Sequence, residues 1–144
     1  MNTVASIISR KGASIVSVTS EETVVEALRI MAEKNIGSVV VLEGTRYVGI
    51  MTERDYSRKV VLKGKDSNTI KVSEIMTTEF PAVKPEDTVE HCMEIMSNKN
   101  IRYMPVFDGG QLTGIISMSD VVKETILHQK ETISHLESYI HSNA

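Results

Sequence analysis

Two acids carry the chemistry that the sequence offers. Asp55 closes the stretch Gly49-Ile50-Met51-Thr52-Glu53-Arg54-Asp55, and Asp120 closes Gly114-Ile115-Ile116-Ser117-Met118-Ser119-Asp120, 65 residues further on. In both, a glycine opens an apolar run, a hydroxyl ends it, and the acid follows three residues after the hydroxyl. A Ser or Thr ahead of a helix accepts an N–H from the first turn, and an acid in that turn suits the positive end of the helix dipole. Each stretch therefore reads as a buried strand feeding a helix N-terminus. Such a junction is expected to present unpaired backbone N–H groups, which suit a phosphate, beside a carboxylate suited to sugar hydroxyls. Two copies predict two sites.

The copies differ in charge. Arg54, Arg58, Lys59, Lys63 and Lys65 follow the first, whereas the second is followed by Ser119, Val121, Val122 and only Lys123. Arg54 and Arg58 stand one helical turn apart, so a pair of guanidinium groups is expected to face an anion at the first helix start. A plain solvated basic face is the alternative. The other reactive side chains offer less. Cys92 falls on the apolar side of a predicted helix with no activating His or acid in pattern, which makes it a core residue. His128, His135 and His141 lack the spacing of a helical metal pair and His91 falls on an exposed face, so no metal site is expected. No Ser-His-acid order, Cys-x-x-Cys or phosphate-binding loop motif is present.

The elements that must position the two acids also come twice. Val4, Ile7 and Ile8 form an apolar patch at helical spacing, and the same V-x-x-I pattern returns as Val72 and Ile75. Ile15 to Val18 alternates like a short strand, and Val24, Ala27, Leu28, Met31 and Ala32 share one helical face that Asn35 ends. Val39 to Leu42 and Tyr47 to Met51 read as a hairpin, and Glu53 to Leu62 as a helix stopped by Gly64. Val83, Glu86, Thr88-Val89, Ile95-Met96, Lys99-Asn100-Ile101, Val106 and Gly109 then repeat Val18, Glu21, Thr23-Val24, Ile30-Met31, Lys34-Asn35-Ile36, Val41 and Gly44 without a gap. A strand-helix-strand-strand-helix unit is thus used twice. Units of this size bury too little apolar surface alone, so the two sheets are expected to pack on each other with pseudo-twofold symmetry. The division follows as 1–70 for the first motif with its lead-in, 71–125 for the second, and 126–144 for a C-terminal helical extension. In that last helix Val122, Ile126, Gln129, Ile133, Leu136 and Ile140 make a heptad seam, which needs a partner surface.

Composition bounds the rest. A chain of 144 residues with 41% hydrophobic and 24% charged residues is a folded α/β (α+β) protein, long enough for one shared core. A net charge of −3 and 4% aromatic residues argue against nucleic acid or anionic membrane as a general partner. With no spanning run, no secretory signal and a single cysteine, the sequence points to the cytoplasm.

This pattern resembles a tandem pair of cystathionine-beta-synthase (CBS) domains, often called a Bateman module, over about residues 4 to 125. The duplicated glycine-to-aspartate stretches carry the resemblance, with Met104-Pro105-Val106, Val72-Ser73-Glu74-Ile75-Met76 and the order of elements in support. It implies a non-catalytic sensor of adenosine-containing ligands such as AMP, ADP, ATP, NAD(H) or S-adenosylmethionine, bound in clefts between the motifs. It further implies a flat homodimer and an effector protein that reads the signal. In family terms Asp55 and Asp120 would take ribose hydroxyls, Thr52 and Ser117 ribose or phosphate, and Arg54 and Ser119 the phosphate. Adenine would lie against the first hairpin strand of the other repeat, which assigns Arg102, Tyr103, Met104 and Pro105 to Asp55, and Gly37, Ser38 and Val39 to Asp120. Met104 is the side chain expected against the base. Pro105 lacks an N–H and is expected either to leave backbone groups free for a purine edge or to mark an edge strand. The basic cluster, with Arg102 added, predicts the more phosphorylated ligand at Asp55. An acid/base enzyme is disfavoured because the two acids would line different clefts; a ligand-free scaffold that recruits a partner through the last helix is the stronger alternative.

Overall fold

The computed structural model describes residues 2–12 and 14–142; residues 143–144 of the predicted extension lie outside them. The chain divides into two compact units, residues 14–81 and residues 1–13 joined with 82–144. This grouping differs from the sequence division at residue 70. Each lead-in segment packs with the repeat that does not follow it directly: Val72 and Ile75 fill the core of Val18, Ala27, Met31, Val41 and Met51, while Val4 and Ile7 fill the core of Val83, Cys92, Met96, Met104 and Ile116.

The unit of residues 14–81 is built from β1 (Ser17–Thr19), α2 (Val24–Lys34), β2 (Ser38–Glu43), β3 (Arg46–Thr52) and α3 (Glu53–Tyr56); α1, Val4–Lys11, belongs to the other unit. β1 runs parallel to β2, and β2 pairs antiparallel with β3. α2 starts at Thr23, whose hydroxyl accepts from the Glu26 N–H, and stops at Asn35, held in the left-handed region at φ 54. The expected single helix from Glu53 to Leu62 is instead α3 followed by a π-helical turn, Ser57–Val61, in which the Leu62 N–H reaches the Ser57 carbonyl. A short 3₁₀ turn, Val72–Glu74, then carries the lead-in.

The other unit consists of α1, α4 (Val89–Lys99), β4 (Tyr103–Asp108), β5 (Gln111–Ser117) and α5 (Met118–Ser142). α4 repeats the capping of α2, with Thr88 at its start and Asn100 at φ 52 at its end. The sheet departs from the repeat. Where β1 runs beside β2, the second unit has, among the described residues, a single parallel bridge between Val83 and Val106. The cause is proline chemistry: the Val40 N–H donates to the Val16 carbonyl at 3.1 Å, and its counterpart Pro105 has no N–H to give. Pro81 and Pro85 flank Val83 as well, so the third strand shrinks to one residue. The Pro105 carbonyl is nonetheless used, accepting from the Val83 N–H at 3.1 Å.

The lead-ins explain the motif glycines. A Cβ on Gly49 would stand 2.8 Å from the Thr77 carbonyl oxygen, and one on Gly114 would stand 2.7 Å from Ile8 Cδ1. Thr77 bridges Ile50 through reciprocal N–H bonds of 3.0 and 2.9 Å, so the chain after Val72–Glu74 lies directly over the bare backbone of β3.

Candidate functional site

In the unit of residues 14–81, β3 delivers Thr52 in extended geometry to the start of α3, where it caps the helix. Its hydroxyl accepts from the Asp55 N–H at 3.1 Å, and Asp55 Oδ2 accepts from the Thr52 N–H at 2.9 Å and from the Thr52 hydroxyl at 3.0 Å. The other carboxylate oxygen, Oδ1, accepts from the Thr77 hydroxyl at 2.8 Å and meets the Lys59 ammonium at 2.8 Å. Lys59 is fixed in turn by the Ile75 carbonyl at 2.9 Å. Asp55 is 5% exposed, so both of its oxygens are committed inside the unit.

The second unit builds the same corner at the junction of β5 and α5. The Asp120 N–H donates to Ser117 Oγ at 3.1 Å, and Asp120 Oδ2 accepts from the Ser117 N–H at 2.8 Å. Lys11, the last residue of α1, places its ammonium 2.7 Å from the same oxygen and 2.8 Å from the Ile115 carbonyl. Asp120 is half-buried, and its contacts among the described residues converge on Oδ2. Burial by itself would raise this carboxyl, but the Lys11 ammonium and the Ser117 amide outweigh it and hold the group below its ordinary value.

These contacts correct the expectation of unpaired amides at the helix starts. The Thr52 and Ser117 N–H groups are taken by the carboxylates. The next N–H of each junction is taken by a strand-leading carbonyl, Glu53 to Gly37 at 3.1 Å and Met118 to Arg102 at 2.8 Å. The acid is a capping residue before it is anything else, because a carboxylate three residues into a helix reaches back to the N-cap amide.

The remaining expected residues fall into two sets. Gly37, Ser38 and Val39 belong with Thr52, Arg54, Asp55 and Arg58 in one unit, with Ser38 directly across the sheet from Thr52. Arg102, Tyr103, Met104 and Pro105 belong with Ser117, Ser119 and Asp120 in the other, with Tyr103 across from Ser117. Met104 is fully buried within its own unit's core, as is Val39 in the other, since both point to the core side of their strands. Arg54 is half-buried and Arg58 exposed. Cys92 is buried, and burial first and Asp87 second push its thiol up to about 11. Among the described residues no group of His, Cys, Asp or Glu is placed to hold a metal ion, and no helix is long and apolar enough to cross a membrane.

Sequence reasoning passed over Lys11 and Thr77, and counted Lys59 in the basic cluster without pairing it to Asp55. Lys59 stands four positions after Asp55, a spacing that pairs opposite charges on a helix and so was available. Lys11 and Thr77 reach their acids from the lead-ins, and nothing in their local sequence signals it.

Comparison with known proteins agrees with this architecture. The CBS-domain family model matches residues 4–61 and 72–126. A mitochondrial CBS domain-containing protein of Arabidopsis thaliana is 36% identical over 127 residues, 85% of this chain, and the match spans 62% of the length of that relative. A CBS-domain protein of Burkholderia ambifaria, considered a candidate for signal transduction, superposes with a TM-score of 0.85 at 43% identity, over 89% of this chain and 96% of that one. A hexameric CBS-CP12 protein from bloom-forming cyanobacteria superposes with a TM-score of 0.73 at 33% identity, over 83% and 66%. With two matched segments that between them carry both capped aspartates, the chain belongs to the CBS-domain family and holds two of its domains in tandem.

Proposed function

We propose that this tandem CBS module is a non-catalytic regulatory sensor of adenosine-containing ligands in the cytoplasm, with AMP first and ADP, ATP and NAD(H) behind it, and that it passes its state to an effector protein. One observation carries the reading: each unit holds an aspartate and a lysine ammonium within 2.8 Å of each other at a helix start. A nucleotide offers the matching pair, a ribose diol for the carboxylate and a phosphate for the ammonium. Asp120 is the better seat. It is half-buried with its contacts on one oxygen, whereas Asp55 is sealed and spends both. This reverses the order expected from the basic cluster. Thr52, Arg54, Arg58, Ser117, Ser119, Arg102, Tyr103, Gly37 and Ser38 remain the polar and backbone groups proposed around the two seats. Assembly into homodimers fits the hexameric state of the cyanobacterial relative.

The test is a thermal unfolding series with AMP, ADP, ATP, NAD, NADH and S-adenosylmethionine on the wild-type chain and on Asp120→Asn. A ligand at about 100 times its Kd adds ~2.7 kcal/mol, a rise of several degrees in Tm. The expected result is a shift with AMP that Asp120→Asn removes. If no ligand shifts the wild type, the scaffold reading takes its place, and the exposed face of α5 is the observation that favours it.

A further inference from the structure

Past its first turn α5 leaves an apolar stripe uncovered. Val122, Ile126, Ile133, Leu136 and Ile140 are 43%, 45%, 54%, 58% and 65% exposed. With Gln129 they advance by alternating steps of four and three, the spacing of a coiled-coil seam. The opposite side of the helix is already engaged. Arg10 of α1 binds the buried Glu124 at 3.0 Å and Glu131 at 3.4 Å, and those two acids lie at the heptad position furthest from the seam. α1 therefore anchors α5 by its back and leaves the stripe facing outward over about 27 Å, at ~1.5 Å per residue.

We infer that a second copy of this chain covers the stripe, with the two α5 helices antiparallel and centred on residue 131. In that alignment Ile126 meets Leu136 of the partner subunit, Val122 meets the partner's Ile140, and Ile133 meets the partner's Gln129. The contact is isologous, so each layer occurs twice. Charge selects this arrangement. The flanking positions on one side of the seam are Lys123, Lys130 and Glu137, and the antiparallel pairing sets Lys123 opposite the partner's Glu137 at both ends, with Lys130 against its own copy in the middle. A parallel pairing opposes Thr125 to Lys130 and Thr132 to Glu137, with no ion pair at all. Gln129 is the polar layer that disfavours other registers. The inference is independent of nucleotide binding.

The experiment is sedimentation equilibrium on the full chain, with charge-reversal variants. Lys123→Glu and Glu137→Lys each put like charges together at both ends and should raise the dimer Kd about tenfold, and the double variant should restore it. Leu136→Asp should raise it by about a hundredfold or more. All three side chains are exposed on α5, so circular dichroism should show the units intact. Single variants without effect, a double variant that fails to restore, or a wild-type chain monomeric at about 100 µM would overturn the proposal. So would a dimer of unchanged Kd in Leu136→Asp.

Discussion

Replacing Asp55 by alanine should destabilise the protein far more than replacing Asp120, although the two acids hold the same place in their repeats. The Asp55 carboxylate accepts from the Thr52 N–H, the Thr52 hydroxyl, the Thr77 hydroxyl and the Lys59 ammonium. In Asp55→Ala the Thr52 N–H is left without its acceptor beneath a residue that is only 6% exposed, which costs about 1–3 kcal/mol. Loss of the reciprocal cap adds about 1 kcal/mol. Thr77 is half-buried and Lys59 is 44% exposed, so both rehydrate and add little. The total is about 2–4 kcal/mol. In Asp120→Ala the orphaned amide belongs to half-buried Ser117, and the ion pair lost has side chains 34% and 18% exposed, so the cost is about 1 kcal/mol. Urea unfolding at pH 7 followed by far-UV circular dichroism measures both. With a slope of about 2 kcal/mol per molar, Asp55→Ala should move the midpoint down by about 1–2 M and Asp120→Ala by about half a molar. Equal shifts would refute the argument, because they would mean that the four contacts of the sealed carboxylate stabilise no more than the two of the open one.

The motif glycines should also behave unequally. Gly49→Ala drives a methyl group against the Thr77 backbone oxygen and should cost about 1–3 kcal/mol, while Gly114→Ala meets only the mobile end of Ile8 and should cost under about 1 kcal/mol, both read from the same urea curves. Lys11→Met should lower stability by less than about 1 kcal/mol at pH 7, since the pair is partly exposed. Asp120 titrates below its ordinary value of 3.8 in the folded protein, so its contribution is present above pH ~4 and is lost as pH falls through the lower folded value. The gap between wild type and Lys11→Met should accordingly be constant from pH 7 to pH ~5 and close as pH falls through the lowered folded value of Asp120; a gap that persists once Asp120 is protonated would assign it to packing of the lysine stem.

What the sequence made legible was whatever repeats along the chain. The helix faces around Val24 and Val89, the Asn35 and Asn100 stops, the hairpins and the two capped acids all follow from local periodicity and local capping chemistry. What it hid was set by pairs distant in sequence. No local signal tells that Thr77 returns to the acid of the preceding repeat and Ile75 to its lysine, or that Lys11 crosses to an acid 109 positions away. The π turn at Ser57–Val61 was hidden for another reason: the sequence there has ordinary helical spacing, and the wider turn shows only in the Leu62-to-Ser57 bond. Pro105 was legible as a departure, and the edge-strand reading of it matches β4, which lies at the edge of a two-stranded sheet.

The chemistry of the two corners then sets how a nucleotide would have to enter them. A carboxylate committed to its helix cap cannot leave it without exposing an N-cap amide, so the contact open to exchange is the lysine, whose bond costs little to break where the ammonium is part exposed. On the proposed reading a ribose diol takes the lysine's place on Asp120 while the same ammonium turns to the phosphate, and the cap bonds to Ser117 stay in place. Lys11 is the last residue of α1, and Arg10 beside it holds Glu124 and Glu131 of α5. On that reading a shift of Lys11 from carboxylate to phosphate would act at the end of the helix whose Arg10 holds α5. Asp55 differs: its Lys59 sits in the π-helical turn of the same unit and is tied to the Ile75 carbonyl, so a shift of Lys59 acts on the Val72–Glu74 lead-in. The asymmetry between the two sites thus lies less in how many cations surround each acid than in which element supplies the one that touches it.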